Sequence, residues 1–143
     1  MLEDRIVDFQ LNLDSEPIGH AFSTEIVSVP PSQSIRDVID QLSAAKQGCA
    51  LVCEEGRLVG VFTERDALSS MASDADLSQP VSAAMADPVT VTSTEPMATA
   101  ITKMATGGFR QLPVVDTEHK PLGMLKVSCI LNYFVQHFPS TIY

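Results

Sequence analysis

The sequence predicts an α/β (α+β) fold: two pseudo-symmetric β-α-β-β-α repeats packed face to face as one module. Three observations predict it. The chain of 143 residues repeats itself at a nearly constant offset. Each copy alternates short β-rich runs with helices carrying one apolar stripe. A unit of roughly 50–60 residues buries too little surface to stand alone, so the copies are expected to share a core.

The repeat is read by superposition. "VPPSQSIRDVIDQL" (Val29 to Leu42) lies over "VTSTEPMATAITKM" (Val91 to Met104) at an offset of 62, so Ile35, Val38, Ile39 and Leu42 fall on Met97, Ala100, Ile101 and Met104. Both quartets have i, i+3, i+4, i+7 spacing, which stacks them on one helical face. Further on, "LVCEEGRLVGVF" lies over "PVVDTEHKPLGML", and Gly60 falls on Gly123, an offset of 63 that places one extra residue in the second turn.

Each copy therefore opens with a β-rich stretch, "EIVSV" (Glu25 to Val29) or "PVTVT" (Pro88 to Thr92), before its amphipathic helix. Ser32 or Ser34 is placed to cap the first helix, and Pro96 suits the first turn of the second. A hairpin follows: "CALVCE" and "LVGVF" around "EGR", or "LPVVD" and "LGML" around "TEHKP". A last helix begins near Arg65 in copy one and near Ser128 in copy two. The expected organisation is an N-terminal extension over 1–17, repeat one over 18–71, a polar linker over 72–80 and repeat two over 81–143. "IGHAFSTE" leads into copy one much as "VSAAMADP" leads into copy two.

Composition narrows the function. Net charge is −9, with the nine Lys and Arg residues scattered singly. No basic cluster exists to neutralise a phosphate backbone, so nucleic acid is not an expected partner, and an acidic surface discourages docking on anionic membranes. A local pocket can still take a small anion. The three cysteines, Cys49, Cys53 and Cys129, are odd in number and read as buried free thiols rather than a disulfide framework. Their distance from His20, His119 and His137 gives no metal set. The apolar runs are too short to span a bilayer and the acidic "MLEDRIVDFQ" does not resemble a signal peptide, so a cytoplasmic location is expected. No Cys/His or Ser/His pair and no phosphate loop is present, so no catalytic residue and no required cofactor is expected. Glu64 and His119 read as solvated side chains.

Two β-α-β-β-α units joined by a short linker, with "LVGVFTERDAL", "FRQLPVVD" and "MADPVTVTSTEPMATAI" in this order, resemble a tandem pair of CBS (cystathionine β-synthase) domains over Ile18 to His137. The resemblance implies a regulatory module that binds an adenosine-containing ligand (AMP, ADP, ATP or S-adenosylmethionine) between the repeats. It also implies association as a homodimer, and regulation of a protein that the sequence does not identify. The alternative is a dimerisation or partner-docking module whose clefts are degenerate and empty of ligand.

The family signature Gly-x-x-[Ser/Thr]-x-x-Asp is complete in copy one as Gly60, Thr63 and Asp66. A carboxylate matches a ribose diol, a helix N-terminus suits a phosphate, and Gly60 allows close backbone approach. Thr63-x-x-Asp66 is equally a helix-capping box, and the two roles are compatible. In copy two the matching positions are Gly123, Lys126 and Cys129, so hydroxyl and carboxylate are both missing and the two clefts should differ. The resemblance assigns the opposite wall to Val89, Thr90, Arg110, Gln111, Leu112 and Pro113. Arg110 is either a phosphate contact or a member of a surface ion pair, and Gly107-Gly108 either an unusual backbone path or a helix stop.

Overall fold

Strand–helix–strand crossovers and tight hairpins dictate the architecture. The computed structural model describes residues 13–137; most of the N-terminal extension (1–12) and the last residues (138–143) lie outside the described residues. The chain forms two compact α/β units, each with one three-stranded sheet.

The first unit gathers Glu25–Val89 with Glu118–Pro121. Its sheet has the order β1 (Val27–Val29), β2 (Cys49–Glu54), β3 (Arg57–Thr63), with β1 parallel and β3 antiparallel to β2. The parallel pair needs a crossover, which helix α1 (Ile35–Ala45) supplies; the antiparallel pair needs only a turn. Glu55 and Gly56 make that turn with φ of 52° and 80°, the double positive φ that matches a twisted hairpin. Helix α2 (Glu64–Ala72) closes the unit. Ser34 caps α1, its hydroxyl accepting from the Asp37 N–H at 3.1 Å. The predicted stripe is buried: Ile35, Val38 and Leu42 pack with Val27, Val29, Ala50, Val52 and Phe62, and Ile39 sits partly buried against them.

Among the described residues, the second unit gathers 13–24, 90–117 and 122–137. Strands β4 (Val91–Thr92), β5 (Gln111–Val115) and β6 (Pro121–Lys126) repeat the sheet order, with β4 parallel to β5 and helices α3 (Met97–Gly107) and α4 (Val127–His137) following the pattern. Met97, Ala100 and Met104 bury against Val91, Leu112, Val114 and Leu125. The opening strands are shorter than predicted, because the residues before Val27 and Val91 lie outside the ladders. Pro96 is the cap itself, extended at φ −63°, ψ 147°, rather than a residue of the first turn. Gly108 at φ 70° stops α3. At the equivalent place after α1 stands Lys46 at φ 54°, so a side chain occupies the left-handed region there.

The lead-in segments pair across the duplication. Ser23 bridges Met124, N–H to carbonyl in both directions at 2.9 and 2.8 Å, and Ile18 is buried in the core built on copy two. Ala86 bridges Val61 in the same way at 3.0 and 2.9 Å, and Val81 is buried in the core built on copy one. Each lead-in thus completes the unit built on the other copy. A Cβ on Gly60 would strike the Met85 side chain, and one on Gly123 would strike the Ser23 carbonyl and the Phe22 ring. The matched glycines are therefore crossing points for these segments. The polar linker also supports the start of α1. The carbonyls of Gln79 and Leu77 accept the N–H groups of Ile35 and Arg36, two of the donors that a helix start leaves unsatisfied.

Candidate ligand-binding site

Strand β3 ends at Thr63 because α2 begins there. Thr63 is extended (φ −105°, ψ 170°) and forms a reciprocal capping box with Asp66. The Asp66 N–H donates to Thr63 Oγ1 at 3.3 Å; the Thr63 N–H and hydroxyl both donate to Asp66 Oδ2, at 2.9 and 3.0 Å. Both bonds converge on one oxygen, and no hydrogen bond among the described residues uses Oδ1. The side chain is half-buried. The cap therefore orients the carboxylate without consuming it, leaving one oxygen to accept from a ligand hydroxyl.

Cys49 lies opposite Thr63 in the β2–β3 ladder and is buried. Burial, with the Asp66 charge adding to it, pushes its thiol up to about 12. It is thus held as a neutral thiol, and all three cysteines are free. Beside Asp66 opens a cleft of about 260 Å³, walled by Asp66, Ser69 and Ser70 on α2, by Ser73 at its C-terminal cap, and by Ile35, Gln79 and Ala84. Ser70 is buried at 7% exposure. These serines stand three, four and seven residues after Asp66, hence on its face of the helix; that spacing was visible in the sequence but not used. No Lys or Arg lines the cleft.

The remaining predicted site residues divide between the units. Gly60 and the exposed Val89 belong with Thr63 and Asp66 in the first. Thr90 begins the second-repeat part of the other unit, half-buried, with its carbonyl accepting from Lys103 Nζ at 2.8 Å. Arg110 is exposed, has no ion pair among the described residues, and its carbonyl accepts the Val127 N–H at 3.0 Å. The ion-pair alternative for Arg110 is therefore not what this structure shows. Gln111 is half-buried, and Leu112 and Pro113 are buried in β5, with the Leu112 side chain committed to the core. In the second repeat's own signature, Lys126 is half-buried, and Cys129 packs against the second core. A carboxylate equivalent to Asp66 is absent there. Among the described residues, no group of three or more His, Cys, Asp or Glu is arranged to hold a metal ion, and no helix is long and apolar enough to cross a membrane.

Comparison with known proteins places this geometry. The family model described as CBS domain matches twice, at residues 18–73 and 81–136. The arabinose 5-phosphate isomerase KdsD of Francisella tularensis is 33% identical over 110 residues; the match takes in 76% of this chain but spans only about a third of the isomerase, 34% of its length. Among solved structures, the CBS domain protein PAE2072 from Pyrobaculum aerophilum, complexed with AMP, is 27% identical with a TM-score of 0.75, covering 84% of this chain and 98% of that one. The CBS domain pair of protein MJ0100, in complex with 5′-methylthioadenosine and S-adenosyl-L-methionine, shares the fold at 20% identity and a TM-score of 0.75, over 84% of this chain and 96% of that one.

Proposed function

This chain belongs to the CBS domain family, and on that premise we propose that it is a non-catalytic regulatory module binding an adenosine-containing ligand, AMP, ADP, ATP or S-adenosylmethionine. One observation carries the reading: the half-buried Asp66 carboxylate is locked in orientation by its own cap while Oδ1 stays open. A ribose diol supplies the donor this oxygen lacks; at the start of α2 the Glu64 N–H already donates to the Gly48 carbonyl at 3.1 Å and the Asp66 N–H to Thr63 Oγ1, so a phosphate there would rely on the Arg65 N–H and the positive end of the helix dipole. The AMP complex of a relative 27% identical over most of this chain supports the ligand class. One complete signature against Lys126 and Cys129 in the other copy gives one strong site per chain. The free cysteines suit a reducing compartment, the cytoplasm.

Calorimetric titration with AMP, ADP, ATP and S-adenosylmethionine tests the reading. At least one should bind with a stoichiometry of one, and Asp66→Ala should weaken it by at least about tenfold, the scale of one lost hydrogen bond to a charged group. Absence of binding by all four at millimolar concentration, or unchanged affinity in Asp66→Ala, overturns it.

A second reading has its own observation. Leu68 and Met71 on α2, and Leu131 and Val135 on α4, are exposed at 66, 51, 59 and 59%. Leu68 and Leu131 are equivalent under the 63-residue offset, so both repeats present an apolar helical face at the same place. Such matched faces suit a self-complementary, two-fold contact between copies of the chain. Dimerisation accompanies the ligand reading; without ligand binding it would leave a docking module for a regulated protein.

A further inference from the structure

We propose that the cleft beside Asp66 sorts adenosine ligands by charge, with Ser70 as a second ribose contact. It favours a nucleoside whose 5′ substituent is uncharged or cationic over one that carries a 5′ phosphate. The inference rests on Asp66 as the ribose acceptor, and it narrows the four ligands toward S-adenosylmethionine. Every residue it uses belongs to the first unit.

Ser70 is more than nine-tenths buried and stands one turn after Asp66 on α2. Its carbonyl is fully used, accepting the Ala75 N–H at 3.0 Å and the Ser73 hydroxyl at 3.2 Å. No hydrogen bond among the described residues uses its own hydroxyl. That hydroxyl is not sealed away either, because no side-chain N or O atom among the described residues is both fully buried and unpaired. Ser70 lines the cleft, so its hydroxyl opens there. A buried side chain placed in this way has only the contents of the cleft left to bond.

Asp66 Oδ1 is the matching acceptor. Residues four apart on a helix hold their Cβ atoms about 5–6 Å apart on one face. Neighbouring ribose hydroxyls bridge that gap: one donates to Oδ1, and the other, donor and acceptor at once, pairs with Ser70 Oγ. At about 260 Å³ the cleft is smaller than the about 300–1,000 Å³ typical of sites that enclose a whole ligand, so it takes a part the size of a sugar. Charge then decides what the sugar can carry. Asp66 is the one charged side chain in the lining. From Asp66 the wall runs through Ser69 and Ser70 to the Ser73 cap, toward the negative end of the helix dipole. Asp74 and Asp76, both exposed, flank the lining residue Ala75. All three features repel a phosphate lying along this wall and attract a cation. The sulfonium of S-adenosylmethionine gains where the phosphate of AMP loses.

Calorimetric titration of the wild type, Ser70→Ala, Ser69→Lys and Asp66→Ala with S-adenosylmethionine, adenosine, AMP and ATP tests the inference, with thermal unfolding of each free protein. The wild type should bind S-adenosylmethionine and adenosine at least about tenfold more tightly than AMP, and AMP more tightly than ATP. Ser70→Ala should weaken S-adenosylmethionine and adenosine by about three- to tenfold, the scale of one neutral hydrogen bond. Its unfolding midpoint should hold or rise, since the lost hydroxyl has no protein partner and alanine is the better helix former. Ser69→Lys adds a cation to the same wall at an exposed position, so it should narrow or reverse the preference over AMP. AMP or ATP binding as tightly as S-adenosylmethionine, with loss in Asp66→Ala, overturns the sorting while leaving the Asp66 site standing. A preference unmoved by Ser69→Lys overturns its electrostatic origin. Unchanged affinity in Ser70→Ala, or an affinity loss matched by a lower midpoint, overturns the Ser70 contact. Failure of all four to bind, or binding indifferent to Asp66→Ala, overturns the site and this inference together.

Discussion

Cys49 shows how a single side chain records its surroundings. Its thiol is buried across the ladder from Thr63 and beside the Asp66 charge, and burial, more than that charge, raises its pKa from 9.0 to about 12. The folded chain keeps this proton between pH 9 and 12 while the unfolded chain loses it, so the contribution to stability is complete below pH 9 and is lost as pH rises toward 12. Urea denaturation across this window should show a fall in stability that is smaller in Cys49→Ala, after subtracting the pH-independent cost of the smaller side chain. In native protein at pH 8, the buried Cys49 should react with a thiol reagent far more slowly than the half-buried Cys53. Equal rates would contradict the packing described for β2.

Among elements, the exchanged lead-ins explain the glycine in each signature. Gly60 faces the flexible end of Met85, whereas Gly123 faces the Ser23 carbonyl and the ring of Phe22. A methionine side chain can swing aside; a bridged backbone cannot. Gly123→Ala should therefore destabilise by about 2–3 kcal/mol and Gly60→Ala by about 1 kcal/mol, the span expected of overpacking. Paired denaturation curves check this, and the reverse order would mean that the Ser23–Met124 bridge is not what the glycine accommodates. The capping box belongs to this scale too. Thr63 ends one strand and starts one helix, and that transition carries the Asp66 carboxylate to the edge of its cleft.

For the whole molecule, the equivalent exposed faces of α2 and α4 lead to an association test. Sedimentation velocity should show a dimer, and the double substitution Leu68→Glu, Leu131→Glu should give a folded monomer with an unchanged far-UV spectrum. A wild-type monomer at tens of micromolar removes the dimer from the proposal. If the monomeric variant still binds AMP as the wild type does, ligand recognition is complete within one chain; if it does not, the second copy shapes the site.

Duplication made much of this fold legible. The i, i+3, i+4, i+7 stripes beginning at Ile35 and Met97, the hairpin around "EGR", and the Thr63/Asp66 cap are all local consequences of periodicity and turn chemistry, and chain order alone carries them. Loss of the second signature was legible as well, since Lys126 and Cys129 can be read directly. Pairings between segments distant in sequence were not. Which sheet receives Ser23 or Ala86, why Gly60 and Gly123 lack side chains, and that Lys103 reaches back to the Thr90 carbonyl depend on the path of the chain through space. Local propensity cannot express these contacts, because each lead-in fits its own copy and the other equally well by pattern. Only simultaneous burial of Ile18 in one core and Val81 in the other selects between them.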